Sequence, residues 1–509
     1  MQGEFRGDFT RDTHNPSKQF LRVFMQQGRV QLDADWNEQS AILLHYLQSL
    51  ATDLIGPYGG PVENCGFEMI SRSSLEEADA ESELLKRFDE LEASDTPNFL
   101  MSPGHYYVQG KLCHNPDYVF YTQQEQYPLK ETEKLAEGQL YLAYLDVWER
   151  HITYLEDESE LSPGIKEVAL GKADTTTRSQ LVWQVKTISI KEDDISGGDE
   201  SDEDRGDSNA RQAFVNELKT DPSQLQKLLI AANGFKPGTG KLKAQASIPA
   251  GPDASTPCII APDSRYRGAE NQLYRVEIHN SGETGTATFK WSRENGSVIF
   301  PIEQIGDNTI TLGHLGWDDR SSLKPGDWVE LVDDIYELQG LAKSLRQVDS
   351  VDTSTLTVKL KETSSPSDSI GLNEKAHALL RRWDQKGKEN HPLQNGVLPV
   401  KEGDWIELED GIRVYFAPTD QENLPNFYMT GDYWLIAART AIGDVEWPQE
   451  SKDGKLEPMA LPPHGIAHYY APLWLLTVED SGVISVESDG DCRCKFPNLC
   501  QIYELQSQG

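Results

Sequence analysis

The chain has 509 residues, of which 37% are hydrophobic, enough for about three domains at roughly 150 residues each. Its 47 Lys and Arg stand against 83 Asp and Glu, a formal charge of −36. That excludes the basic footprint of a general nucleic-acid binder and argues against docking on anionic lipid through net charge. Six cysteines do not make a disulfide scaffold, and no apolar run approaches the ~20 residues of a membrane-spanning helix.

Residues 1–10 are polar and charged, without an apolar run of signal-peptide type. Synthesis in the bacterial cytoplasm without Sec export is therefore expected. The arm that follows is punctuated by Gly3, Gly7 and Pro16 and carries spaced apolar anchors, among them Phe5, Phe9, Phe20 and Phe24. From Asp35 the pattern turns helical, with Trp36, Leu43, Leu47, Leu50 and Leu54 near 3.6-residue spacing. Asp33 or Asp35 is the expected cap, Glu38 completes a capping-box pattern, and Gly56-Pro57 stops the helix.

Residues 74–92 are acidic and helix-prone and read as a surface insertion. Gly104–Gly110 is an aromatic and β-branched strand bounded by glycines. Leu140–Trp148 is nearly apolar on both faces, as suits a strand buried between layers. The acidic run 192–209 reads as a solvated loop, since its spacing does not match an EF-hand. Residues 210–233 read as one helix with Phe214, Leu218, Leu225 and Leu228 on one side.

From about residue 255 the chain is β-rich. Leu273–Ile278 and Ala287–Ser292 alternate, and Asn295-Gly296 is a hairpin signal before a strand at Val298–Ile302. Gly326-Asp327-Trp328-Val329-Glu330-Leu331 recurs as Gly403-Asp404-Trp405-Ile406-Glu407-Leu408, with an echo at Gly431-Asp432-Tyr433-Trp434. Each is a turn opening a strand with an aromatic anchor, which convergent turn chemistry explains as well as duplication does. The expected fold is mainly β with some helix (α+β): an N-terminal arm and helix followed by several β-sandwich or barrel-like modules. The composition divides it into an arm and amphipathic helix at 1–60, a β-rich domain with an acidic helical insertion at 61–190, and an acidic loop, helix and Gly/Lys linker at 191–254. A β-rich region follows at 255–480, with a small β module inserted near 323–400, and then a Cys-containing tail at 481–509.

The search for chemistry assigns no catalytic, cofactor or metal residues. Gly234–Leu242 resembles a phosphate loop but has one residue too many and no Ser or Thr after Lys241. His464 and His468 lack the intervening Glu of a zinc helix. Cys492, Cys494 and Cys500 have no evident fourth ligand and are expected to bind no metal. Asp146, Glu149, Glu156 and Asp157 offer carboxylate pairs for glycoside chemistry, but such pairs arise by chance among 83 acids. Trp291, Trp328, Trp405, Trp434 and Trp474 sit in strand patterns and read as core; an exposed row of them would instead mark a glycan-binding or glycan-hydrolysing protein.

Two long stretches, Gly7–Thr13 and Val23–Glu38, resemble the opening of a bacterial family typically encoded beside phage-tail-like contractile injection system genes. Tyr144–Arg150, Lys290–Ser297 and Pro462–Ile466 are similar to its later landmarks, so the likeness runs to about residue 480. The resemblance implies a structural, non-catalytic subunit at or around the baseplate or tail fibres of a released or membrane-anchored particle. Its implied partners are baseplate or tail-fibre proteins and further copies of itself, as a trimer. No nucleic acid and no membrane span are expected. The residues proposed for assembly are Phe5, Phe9, Phe20, Phe24 and Trp36, because spaced aromatics in a polar arm suit insertion into a neighbour. Deleting residues 2–30 is accordingly expected to leave a folded protein that no longer assembles.

Overall fold

The computed structural model describes residues 3–77, 82–92, 97–127, 129–130, 133–157, 164–191, 195, 207–233, 236–246, 265–306, 308–316, 318–342, 344–361, 376–419, 424–485 and 488–502. Most of the acidic run 192–209, together with Gly234 and Cys258, lies outside the described residues. The fold is mainly β with a few helices, as expected. It forms two compact units, each discontinuous in sequence: 1–40, 149–180 and 236–466 in the first, and 41–148, 181–235 and 467–509 in the second. The chain passes between them five times, three of them inside regular elements, the helix α1 (Asp33–Ile55) and the strands Gln139–Ile152 and Arg178–Ile190. The contiguous divisions read from composition therefore differ from the folded units. Composition marks loops, whereas three of the five crossings occur within regular elements.

The second unit is built on a four-stranded sheet in the order Ile484–Ser485, Tyr469–Val478, Gln139–Ile152, Arg178–Ile190. The strand from Gln139 is buried without interruption from Tyr141 to Trp148. Its two faces explain the absence of polar alternation. Ala143, Leu145 and Val147 enter one core with Phe67, Tyr106 and Leu473, and Leu142 and Tyr144 enter another with Phe214, Leu218 and Leu225. The acidic insertion forms two short helices, α2 (Arg72–Glu77) and α3 (Ser82–Glu92), which bury Leu75, Leu84 and Phe88 against Leu100 and Phe120. The helix expected over 210–233 is two, α4 (Asp207–Thr220) and α5 (Pro222–Asn233). Pro222 cannot continue α4, since it lacks an N–H, but its fixed φ suits a first helical position. Asp221 caps the new start by accepting from the Ser223 amide at 2.9 Å.

The first unit combines a sandwich-like core with a closed barrel. A five-stranded sheet runs Leu398–Pro399, Thr288–Ser292, Gln272–Asn280, Tyr433–Arg439, Asp444–Glu446, and a three-stranded one runs Trp405–Glu407, Ile412–Ala417, Lys241–Ala246. Val276, Ile278, Phe289, Trp291, Val414 and Phe416 share one buried core. The barrel closes through six antiparallel strands in the order Ile299–Ile305, Thr309–Leu312, Thr357–Leu360, Arg346–Asp352, Trp328–Val332, Leu379–Trp383. Phe300, Ile310, Leu312, Val329, Val348 and Val358 fill it, each from the inward phase of its strand. It spans 299–383, overlapping the module expected near 323–400. A short helix, α6 (Asp334–Leu338), is capped by Asp333.

The three Gly-Asp echoes share one local geometry. Gly326, Gly403 and Gly431 have φ of +94°, +84° and +88°, a region open to glycine and costly for other residues. Each turn leads into a strand, at Trp328, Trp405 and Tyr433, in three different sheets. Asn295-Gly296 also has two positive φ values, 54° and 69°, but it closes no hairpin. Thr288–Ser292 pairs within the five-stranded sheet and Ile299–Ile305 within the barrel.

Candidate functional site

The residues expected to mediate assembly fall in two environments. Residues 3–11 are bound throughout to the first unit. The Tyr433 hydroxyl donates to the Gly3 carbonyl at 2.7 Å, and the Asn295 amide donates to the carbonyls of Phe5 and Gly7 at 3.1 and 2.9 Å. Arg275 donates to the Phe5 carbonyl and Arg439 to that of Thr10. Phe5 and Phe9, both partly buried, set their edges against the ring of His151 at 6.3 and 6.1 Å. The Asn-Gly turn thus has a purpose other than a hairpin: it points an amide at the arm.

Beneath this arm lies a buried ionic network. In the strand Gln272–Asn280 the residues alternate, and Val276 and Ile278 face the apolar core. The opposite face presents Arg275, Glu277 and His279, which are also buried. Glu277 receives Arg6 from the arm at 3.1 Å, Arg275 at 2.5 Å and Lys290 at 3.4 Å. Lys290 continues to Glu330 at 2.6 Å. Burial alone would raise the Glu277 carboxyl, but Arg6, Arg275 and Lys290 together hold it well below the usual carboxylate range. Arg6 also pairs with Glu4. Glu337 of α6 takes Arg150 at 2.9 Å and Arg381 at 3.2 Å. Burial lowers His151 to about 3 and His279 to about 4, so both rings stay neutral among these cations.

Past Asn15 the situation reverses. Phe20, Leu21, Phe24, Met25, Val30 and Leu32 are exposed by 41% or more, Leu21 and Val30 by over 80%. Trp36 is 69% exposed. Two of the acids expected at the start of α1, Asp33 and Glu38, tie the arm to it. Asp33 accepts from the Thr10 amide at 2.8 Å, and Glu38 from the Thr13 hydroxyl at 2.6 Å. Gln39 accepts from the Val23 amide at 2.8 Å. Along α1 only Ala34 and Ile42 are fully buried apolar residues, while Leu43, Leu44, Tyr46, Leu47, Leu50 and Leu54 are exposed. Of the 26 exposed large apolar residues among those described, 13 lie between Phe20 and Leu54. Soluble monomers rarely expose contiguous apolar patches beyond a few hundred Å².

The other residues singled out by sequence are engaged separately. Asp146 accepts from Lys186 at 2.6 Å and pairs with His468 at 2.7 Å; burial would raise it, but those two partners hold it far below the usual range. Glu156 accepts from the Thr153 amide and hydroxyl, and Glu149 from the Ser179 hydroxyl. His464 exchanges backbone hydrogen bonds with Tyr433. Burial pushes the Cys492 thiol up to about 12, and Cys494 is also raised by burial. No group of three His, Cys, Asp or Glu among the described residues is placed to hold a metal. Gly240 lies against the Tyr428 ring, and Lys241 opens a sheet strand. Trp291, Trp434 and Trp474 are buried; Trp405 is half-buried against Tyr415, and half-buried Trp328 lines a 510 Å³ cavity with Asp327, Arg382 and Asp384.

A family of unknown function, DUF6519, matches residues 5–197 and 189–509. The chain belongs to that family. The two DUF6519 matches take in the bound arm from Phe5 onward, the exposed segment, α1, both sandwich sheets and the barrel. No curated protein and no solved structure matches the chain. Among the described residues no helix is long and apolar enough to cross a membrane.

Proposed function

We propose that this protein is a structural, non-catalytic subunit of a phage-tail-like contractile injection particle, at or around its baseplate or tail fibres. The observation that carries the reading is the exposed apolar band between Phe20 and Leu54. It places on one segment the surface that a subunit needs to be built into an assembly. The motif resemblance supplies the kind of assembly. Exposure supports Phe20, Phe24 and Trp36 as the residues offered to a neighbour, whereas Phe5 and Phe9 pack against His151. Deleting residues 2–30 would remove Arg6 from the Glu277 network, so it would disturb folding along with assembly. Substitution of Phe20, Phe24 and Trp36 by Ser is the cleaner intervention.

Sheathed particles sedimented from the native host should contain the chain at a near-stoichiometric ratio to baseplate proteins by mass spectrometry. The triple-Ser variant should remain in the soluble fraction with an unchanged far-UV circular dichroism spectrum. Wild-type chain absent from particles would defeat the proposal. One observation favours a second reading, glycan binding: the 510 Å³ cavity sets the half-buried Trp328 beside Asp327, Arg382 and Asp384, a ring with polar groups around it. Retention of the wild type, but not of Trp328→Ala, on a glycan array would support it.

A further inference from the structure

Five of the seven large exposed apolar residues of α1, all but Leu44 and Tyr46, share a register. Trp36, Leu43, Leu47, Leu50 and Leu54, with Ser40 completing the series, are spaced alternately by three and four residues. These are the a and d positions of a heptad, with d at 36, 43 and 50 and a at 40, 47 and 54. All six are exposed. Only Ala34 and Ile42 are buried, and Asp35, Glu38, Gln39, Ala41, Gln48, Ala51, Thr52 and Ile55 are half-buried. The helix is therefore inverted relative to an ordinary surface helix, which buries its Leu stripe and exposes its polar face. An isolated inverted helix gains nothing from its stripe. A helix that receives partners along that stripe gains the knobs-into-holes packing that a and d residues provide.

We infer that the stripe Trp36–Leu54 is a self-association surface, occupied by α1 of further copies of this chain. This inference rests on the proposed structural role and names the partner. Charge is the first argument for a second copy. Copies of a −36 chain repel one another, so they must meet where charge is absent. Residues 39–52 contain no Asp, Glu, Lys or Arg, although 26% of the chain is charged. The flanking segment 13–32 carries Lys18, Arg22 and Arg29 and no acid, the sign that suits the acidic surface of another copy. Arg22 lies over the Phe24 ring at 4.4 Å and Lys18 over the Phe20 ring at 5.9 Å. The second argument is area. The five apolar residues of the stripe are exposed by 44 to 77%, and together with the flanking segment 20–32, Leu44 and Tyr46 the thirteen exposed side chains offer on the order of 1,000 Å², against about 800 Å² per partner in a stable interface.

The test is sedimentation equilibrium on the full-length chain at about 50 µM, since association depends on protomer concentration. The wild type should be a discrete oligomer. The pair Leu47→Asp with Leu50→Asp places charge in the stripe and should weaken association by at least about 100-fold. Ser49→Asp adds one such charge at the neighbouring exposed position off the stripe and should leave the oligomer intact. Circular dichroism should be unchanged in all three, because the substituted side chains are exposed. A monomeric wild type, or an oligomer that survives the paired substitution, overturns the inference. So does equal dissociation by Ser49→Asp, which would make the loss one of charge and not of the stripe. A monomeric wild type found in sedimented particles assigns the stripe to another particle protein and leaves the proposed function standing. An oligomer absent from particles does the reverse.

Discussion

The N-terminal arm divides near Asn15 into two stretches of opposite fate, a charged one at residues 3–11 and a more apolar one at residues 20–32. Residues 3–11 give up their carbonyls to Tyr433, Asn295, Arg275 and Arg439 and place a buried arginine on Glu277. Residues 20–32 and α1 hold their apolar side chains out in solvent. The difference lies in what each stretch brings to a receiving surface. The first offers charge and backbone acceptors to a sheet face built of Arg, Glu, Lys and His. Such a face leaves buried cations unpaired unless something answers them. The second offers only apolar area, and within the chain α1 meets it with no more than Ala34 and Ile42 buried. A bound stretch is thus part of the fold, and an unbound one is surplus to it.

The sharpest way to break this contrast is at Glu277. Its replacement by Ala removes the carboxylate shared by Arg6, Arg275 and Lys290; Lys290 keeps Glu330 and Arg6 keeps Glu4, but the buried Arg275 loses its carboxylate. Losing one side of such a network costs about 3–5 kcal/mol. Urea denaturation followed by tryptophan fluorescence should register that loss. A change below about 1 kcal/mol would mean that the bound half is held by its carbonyl contacts alone.

The two halves were not separable from sequence, for a physical reason. Phe5 and Phe9 lie among Glu4, Arg6, Asp8 and Arg11, and Phe20 and Phe24 among Leu21, Val23 and Met25; the more apolar stretch is the exposed one, so local composition points to the wrong half for burial. What distinguishes them is His151 and Glu277, which meet the arm from far along the chain; Arg6 and Glu277 are 271 residues apart. Features decided within a few residues were legible: the alternation of Leu273–Ile278, the two-sided apolar run Leu140–Trp148, the Gly-Asp turns and the heptad spacing of α1. Features that depend on which face receives what were not. Alternation does not reveal that the charged face of Gln272–Asn280 is covered. Helical spacing marks a Leu stripe but not the side of the protein it faces. The break at Asp221-Pro222 was legible in principle, since proline opens a helix more readily than it continues one.

The pH dependence of stability sharpens the same contrast at His151. Burial, reinforced by Arg381, Arg6 and Arg275 against the opposing pull of Glu337, lowers the ring to about 3, from an ordinary value of about 6.5. The folded chain keeps His151 neutral where an unfolded chain protonates it. Its contribution is complete above about pH 6.5 and is lost as pH falls toward 3, at about 1.4 kcal/mol per pH unit. Acidification to pH 5 therefore costs about 2 kcal/mol through this residue. His151→Phe keeps a ring for Phe5 and Phe9 and removes the proton. Denaturation between pH 7 and 5 should show a slope shallower by about one proton in the variant. Parallel slopes would place His151 in a wetter setting than the arm contacts imply.

The smallest expected effect on stability is the most informative about the unbound half. Phe20→Ser and Phe24→Ser alter side chains exposed by 56% and 70%, whose ring contacts among the described residues are to Lys18 and Arg22. Exposed substitutions away from caps and networks stay within about 0.5 kcal/mol, and the thermal midpoint measured on dilute protein should hold to within about 2 °C. At higher concentration the same substitutions should lower the midpoint, since an associated state stabilises the fold by mass action. A midpoint that depends on concentration in the wild type and not in the variant would separate intermolecular from intramolecular use of these aromatics. A large loss at every concentration would mean that they pack on their own chain, and the contrast between the two halves of the arm would fail.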